Sequence, residues 1–464
     1  MLYLGLMLNS IFDSFSIDDI GAFSLVIGGS IIIILSYFAN LLAKKTNIPS
    51  VLVLIGMGIL IRQGLTSLGV SEIPFENLAL ELLGTVGLIF ILLEASLDLE
   101  LSKEKLPLII KSASLALFSL IASSLAIAWL LNATLGLEWF TSVIYAIPLS
   151  IMSSAIIIPS VGGLALEKKE FMVYESTFSD IWGIMAFYLV LGNQQATGTG
   201  EVLKAIAINL GASLLISIIV SYLLVYVLQK ITSSVKLFLS IAVLILIYSV
   251  QKLLHLSPLI LILIFGLMLN NHNIFFAKIF KNKNGESWLG GLLDDKKMAG
   301  LRHDFHILTL ESAFVIRTFF FVLFGATVVL ASLTDIKVIF YGLAISVLLY
   351  AVRFVFLRVF RSKDPTSLLY IAPRGLITIL LFFQIGSNYP EHIDTAFDGG
   401  ILLVVILVTC IIMTISLIQK GTGLEPVATN DGQLLLSEPE IKTEIKEESS
   451  NHPAHASPSE EIQE

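Results

Sequence analysis

The run Ala146-Ile-Pro148-Leu-Ser150-Ile-Met-Ser153-Ser154-Ala-Ile-Ile-Ile-Pro159-Ser160, followed by Gly162 and Gly163, joins membrane-spanning length to a cluster of helix breakers. It lies in an apolar stretch, 139–164, long enough to cross a bilayer as a helix. It also carries two prolines, each of which removes a helical hydrogen bond and crowds the preceding turn. Irregular backbone survives at membrane depth only where protein buries it or where it lines a polar cavity. The stretch is therefore read as a broken transmembrane helix, the plainer alternative being that proline and glycine are common in membrane helices. A second apolar run, 366–388, has the same character in Ile371-Ala-Pro373-Arg374-Gly375-Leu-Ile-Thr378. The two breaks lie seven spans apart. An odd offset reverses direction in the membrane, which is how inverted repeats build a site near the midplane.

Outward from these runs the chain stays apolar. Of its 464 residues 56% are hydrophobic and 14% charged, against about 25% charged in a soluble protein. Mean hydropathy is +0.90. About thirteen spans are expected, at 20–43, 49–68, 77–98, 106–132, 139–164, 168–192, 201–230, 234–252, 256–273, 306–331, 336–360, 366–388 and 397–419. All should be helices, because lipid satisfies no backbone group and the short alternating segments of a barrel are absent. The first run is too long for a signal peptide and lacks a basic segment before it. The fold class is thus an all-α polytopic membrane protein with inverted repeats and two broken helices.

The formal charge of −8 sits in the last segment, where 421–464 hold ten acidic residues and two lysines. The membrane part is near neutral, which argues against a nucleic-acid partner. Basic residues gather in alternate loops: Lys44 and Lys45, Lys103 and Lys105, Lys168 and Lys169, Lys230 and Lys236, Lys278 to Arg302, and Arg358 to Lys363. The positive-inside rule then places the N-terminus outside and the C-terminus in the cytoplasm of a plasma or inner membrane. Four regions follow: an extracytoplasmic segment 1–19, a transmembrane domain 20–420, a cytoplasmic loop 271–305 and a disordered acidic tail 421–464. No phosphate-binding loop, nucleophile triad or metal cluster supports an enzyme, and no cofactor is expected. Cys410 is the one cysteine, so no disulfide forms within a chain.

Five ionisable side chains stand at membrane depth: Glu94, Asp180, Arg317, Arg353 and Arg374, with Glu175 near a span end. Such groups are costly and are functional candidates by default. Asp180 sits in Tyr174-Glu175-Ser176-Thr177-Phe178-Ser179-Asp180-Ile-Trp-Gly183. A carboxylate there binds a proton or a hard monovalent cation, but not both, and that competition is the minimal chemistry of an exchanger. The plainer alternative is a structural Asp that caps a helix break or pairs with an arginine. Glu94 and Arg317 lie in spans three and ten and are expected to form a structural ion pair. His303 and His306 are expected to be loop residues.

The segment Glu175-Ser-Thr-Phe-Ser-Asp180 resembles the Glu-Ser-x-x-Asn-Asp signature of the monovalent cation–proton antiporter superfamily, which includes the sodium–proton exchangers. Ile48-Pro49-Ser-Val-Leu-Val-Leu-Ile-Gly56-Met-Gly58, Leu92-Leu-Glu94-Ala-Ser-Leu-Asp98, Phe319-Phe-Phe-Val-Leu-Phe-Gly325 and Ala372-Pro-Arg374-Gly375 resemble other spans of that family, in order, over about residues 20–420. The resemblance implies a core domain, spans about 106–192 and 336–419, in which the broken helices cross. It implies a dimerisation domain, spans about 20–98 and 201–331, and a homodimer. The ion would sit at Asp180, with Ser153, Ser154 and Ser179 as neutral oxygens and Glu175 as an acidic partner. Arg353 and Arg374 would compensate charge. Two departures bear on the ion. Ser179 replaces the usual Asn or second Asp, and Ser153-Ser154-Ala155 replaces a Thr-Asp-Pro pattern and is closer to potassium-efflux-like members. Members with two adjacent acids are typically electrogenic, and those with a neutral residue before the Asp electroneutral. The expected function is exchange of Na⁺ or K⁺ for H⁺ by alternating access, electroneutrally. The alternatives are a gated K⁺ efflux channel on the same scaffold and a sensor or anion carrier.

Overall fold

The computed structural model describes residues 17–46, 49–67, 76–192, 199–228, 230–231, 236–253, 258–275, 295–327, 333–360, 368–388, 392–394 and 396–419. The described residues are helical throughout, with short connections and no strand. In order the helices are α1 (Ile17–Thr46), α2 (Ser50–Ser67), α3 (Glu76–Asp98), α4 (Leu106–Leu135), α5 (Trp139–Ser150) and α6 (Ser154–Ser160). Then come α7 (Leu166–Leu191), α8 (Thr199–Leu228), α9 (Lys236–Leu253), α10 (Pro258–Asn270) and α11 (His272–Phe275). The last are α12 (Asp295–Thr327), α13 (Ile336–Val359), α14 (Leu376–Asn388) and α15 (Gly400–Gln419). Each expected span coincides with a helix or a broken helix. Seven segments, the pair Trp139–Ser160 among them, are long and apolar enough to cross a membrane unaided, and four shorter apolar helices accompany them. Large apolar side chains cover outward faces, for example Tyr37 and Phe38 on α1, Leu215 and Leu223 on α8, and Phe340 and Val347 on α13. Only a lipid environment tolerates that much exposed apolar surface. The chain is an integral membrane protein.

The helices pack in two sets. In one, α12 lies against α1, α2 and α3, while α10 lies against α3, α8 and α9. In the other, α4 packs on α5, α7 and α13, α13 on α15, and α7 on α5 and α6. The sets meet where α14 touches α3 and α12 and where α10 touches α7. Within the first set two glycines make one close crossing. A Cβ on Gly58 of α2 would stand 2.1 Å from the Val322 carbonyl oxygen, and one on Gly325 of α12 would stand 2.2 Å from that of Ile55. Backbone touches backbone on both sides, as small residues allow in membrane helix pairs.

The boundaries differ from expectation in three places. Residues 17–19 of the expected N-terminal segment are the first turn of α1, and 1–16 lie outside the described residues. Within the expected loop 271–305, His272–Phe275 is a helical turn and α12 begins at Asp295, so His303 and His306 are helical. Met298, Leu301 and Phe305 are buried there at helical spacing, and their packing extends the helix past its apolar run. Residues 276–294 of that loop and the tail 421–464 lie outside the described residues.

Candidate functional site

The first broken span separates at Ile151–Ser153, between its two prolines and not at either. Pro148 sits in the last turn of α5 and Pro159 inside α6. A short extended linker leaves the carbonyls that end α5 and the N–H groups that start α6 without helical partners. Neighbouring elements fill these vacancies. The Ser154 N–H donates to Asp180 Oδ2 at 3.2 Å, and the Ser154 hydroxyl donates to the same oxygen. The Met152 N–H donates to Ser179 Oγ at 2.9 Å. Helix α7 is thereby laced along the break.

The second break, 371–375 before α14, lies on the other side. The Ser153 N–H donates to the Pro373 carbonyl at 3.0 Å, so the two breaks bond directly. Gly375 permits this contact, because a Cβ there would come within 2.6 Å of Ile156 Cδ1 and 2.8 Å of Ser153 Oγ. Arg374 reaches across to the end of α5. Its Nε donates to the Leu149 carbonyl at 3.1 Å and Nη2 to that of Ser150 at 3.3 Å, while Nη1 meets the Ala372 carbonyl at 2.6 Å. A buried guanidinium thus answers the partial negative charge of a helix C-terminus. Helix α15 supports the same break. Thr409 Oγ1 accepts the Arg374 N–H at 3.0 Å, and the Cys410 thiol points at the Arg374 carbonyl, 3.7 Å away.

Glu175, one turn before Ser179, has a different partner. Arg353 of α13 holds both its oxygens, at 2.6 and 3.0 Å, and also donates to the Leu368 carbonyl at 3.0 Å. Both side chains are almost fully buried. The sequence set Glu175 beside the ion as an acidic partner, and here both its oxygens are held by the fork of Arg353. Glu94 and Arg317 bond at 3.0 and 3.4 Å between α3 and α12, in the other helix set. They are no part of the site. Among the described residues no cluster of three or more His, Cys, Asp or Glu side chains is placed to hold a metal ion.

Four oxygens on the broken spans and on α7 remain open. Among the described residues, Asp180 Oδ1, Ser153 Oγ, Thr177 Oγ1 and Thr378 Oγ1 are buried without a hydrogen-bond partner. Their side chains are at most 2% exposed. No basic side chain among the described residues pairs with Asp180. It accepts bonds only from Ser154, so it does cap a helix break, yet half of its carboxylate is unspent. Thr177 and Thr378 were not singled out as ligands in the sequence. The signal for Thr177 was its place three residues before Asp180, on the same helical face. For Thr378 it was its place one turn beyond Gly375.

The sodium/hydrogen exchanger transmembrane family matches residues 30–419. No curated protein sequence matches the chain. Two solved structures of the sodium proton antiporter MjNhaP1 from Methanocaldococcus jannaschii share the fold. One, determined at pH 8, has a TM-score of 0.62 at 17% identity, covering 85% of this chain and 95% of the antiporter. The other, from electron microscopy, has a TM-score of 0.59 at 17% identity, covering 86% and 95%. With the family match spanning both broken helices and every span between α2 and α15, the chain belongs to the sodium/hydrogen exchanger family.

Proposed function

We propose that the protein exchanges a monovalent cation, Na⁺ or K⁺, for H⁺, with Asp180 as the shared carrier. The observation that carries this reading is the unpartnered Asp180 Oδ1, buried beside a helix break with the hydroxyls of Ser153, Thr177 and Thr378 also unspent. A buried carboxylate with no basic partner must be neutralised by something mobile. A proton does so by binding one oxygen. A small cation does so by taking carboxylate and hydroxyl oxygens together, the donor set hard cations prefer. The two occupants exclude each other, so each loaded state is neutral and the empty state leaves a bare charge in the protein. Crossing is then allowed loaded and opposed empty, which is the condition for obligatory exchange.

In this reading the set containing α4–α7 and α13–α15 is the moving core. The set containing α1–α3, α8–α10 and α12 is the scaffold and forms the homodimer. The N-terminus is extracytoplasmic and the C-terminus cytoplasmic. Ser154 positions Asp180 through the bonds described above, and Ser179 holds the linker at Met152. Arg374 stabilises the break from the opposite side.

The test is cation-driven proton flux in proteoliposomes, with Na⁺, K⁺ and Li⁺ compared. Asp180→Asn keeps the volume and the bond from Ser154 but holds no proton and no cation charge. The expected result is a folded protein with exchange abolished for every cation. Wild-type exchange by the purified variant overturns the assignment, and cation flux uncoupled from protons indicates a channel instead.

A further inference from the structure

A second polar cavity lies away from Asp180, at the end of the bundle where α3 finishes and α12 begins. Its volume is about 440 Å³, and Leu97, Asp98, Glu100, Asn270, His272, Ala299, Arg302, His303 and His306 line it. That is the size of a pocket for a small organic ligand. Two wall residues are built into the protein with bonding capacity unspent. Asn270 is 7% exposed and His272 9%. The Asn270 amide donates to the Leu99 carbonyl at 2.9 Å, but among the described residues its Oδ1 has no partner, and neither has His272 Nδ1. A buried polar atom left unpaired costs about 1–3 kcal/mol unless something comes to it.

The charges on the wall divide into spent and unspent. Asp98 faces His306 at 3.0 Å, and Glu100, largely exposed, shares Lys105 with Glu170, at 3.1 and 3.3 Å. Arg302 and His303 are exposed on the second and third turns of α12 and hold no such partner among the described residues. The free capacity is therefore a guanidinium and an imidazole at the mouth, with two neutral acceptors or amphoteric atoms deeper in. An anionic group bonds the first pair, and the forked guanidinium suits phosphate oxygens. Hydroxyl groups attached to that anion would satisfy Asn270 Oδ1 and His272 Nδ1. Inorganic phosphate alone would leave the inner acceptors unmet and much of the volume empty.

We propose that this cavity binds a phosphomonoester carried on a hydroxylated ring or polyol, with the phosphate at Arg302 and His303 and the hydroxyls at Asn270 and His272. Such a group comes either from a soluble sugar phosphate or from a phosphoinositide headgroup. The site is independent of Asp180 and of the exchange reaction.

The experiment uses the full chain in phosphatidylcholine nanodiscs, titrated with ribose 5-phosphate and, as an uncharged control, ribose. A parallel set of discs contains phosphatidylinositol 4-phosphate, with retained lipid measured after purification. Arg302→Gln and His303→Gln are the variants; both side chains are exposed, and an unchanged melting temperature verifies their folding. The expected result is binding of the phosphate ester and not of ribose, weakened at least tenfold by Arg302→Gln, or about 1.4 kcal/mol. Binding of the soluble ester assigns that source, and retention of the lipid alone, lost in Arg302→Gln, assigns the membrane. Failure of both ligands to bind overturns the proposal, as does binding that both variants leave unchanged.

Discussion

Arg353 and Glu175 show what a single buried residue costs when its partner is removed. Their two hydrogen bonds, at 2.6 and 3.0 Å, lie in the interior of the helix set that holds both breaks. Arg353 also touches Met152 Sδ, on the linker between α5 and α6, so the pair braces the site from behind. Loss of the guanidinium strands a buried carboxylate, at about 3–5 kcal/mol. Arg353→Ala is expected to lower the melting temperature of the detergent-solubilised protein substantially. The double variant Arg353→Met/Glu175→Leu should recover most of that loss, because it removes the charges together. Equal melting of wild type and Arg353→Ala would show that the pair is not coupled as described. Sequence reading set Arg353 at membrane depth and Glu175 near a span end beside the ion, without pairing the two. Nothing local in the chain specifies a partner 178 positions away. The Glu94–Arg317 contact was easier to anticipate, because two opposite charges at membrane depth had few other ways to be neutralised.

At the scale of elements, helices were legible wherever apolar length decided them, and the two breaks wherever proline and glycine did. The early start of α12 was not, because Asp295–Asp304 carries many polar residues and its buried positions are thinly spaced. Nor was the exact seam in the first broken span, which avoids both prolines. The close contact of the breaks makes a prediction about one glycine. Gly375→Ala would press a methyl group into Ile156 and Ser153, and overpacking of this kind costs about 1–3 kcal/mol. Gly386, in the last turn of α14, has open space around it, and alanine there should be neutral or stabilising by up to about 1 kcal/mol. Thermal melts and exchange assays on both variants separate the cases. Gly375→Ala is expected to lose stability and transport, and Gly386→Ala neither; equal behaviour of the two would deny that the contact is tight.

For the whole molecule the question is how much charge each cycle moves. Arg353 and Glu175 cancel, Arg374 is bonded to carbonyls, and Ser179 is neutral, which leaves Asp180 as the one variable charge among the site residues described. One proton or one monovalent cation neutralises it, so exchange is expected to be one-to-one and electroneutral. Recordings on solid-supported membranes check this. A cation-driven current that reverses with membrane potential would refute the one-to-one cycle, and no steady current is expected.

Cys410 has a practical consequence for watching that cycle. It is the one sulfhydryl in the chain, fully buried beneath the second break, with its hydrogen directed at a backbone carbonyl. Water-borne thiol reagents have no route to it in the folded protein. The native sequence therefore serves as a silent background for spectroscopy. Reporter pairs introduced on the outward faces of α13 and α8 can be labelled selectively without first removing a residue that steadies Arg374, and the distance between them would track one helix set against the other during turnover.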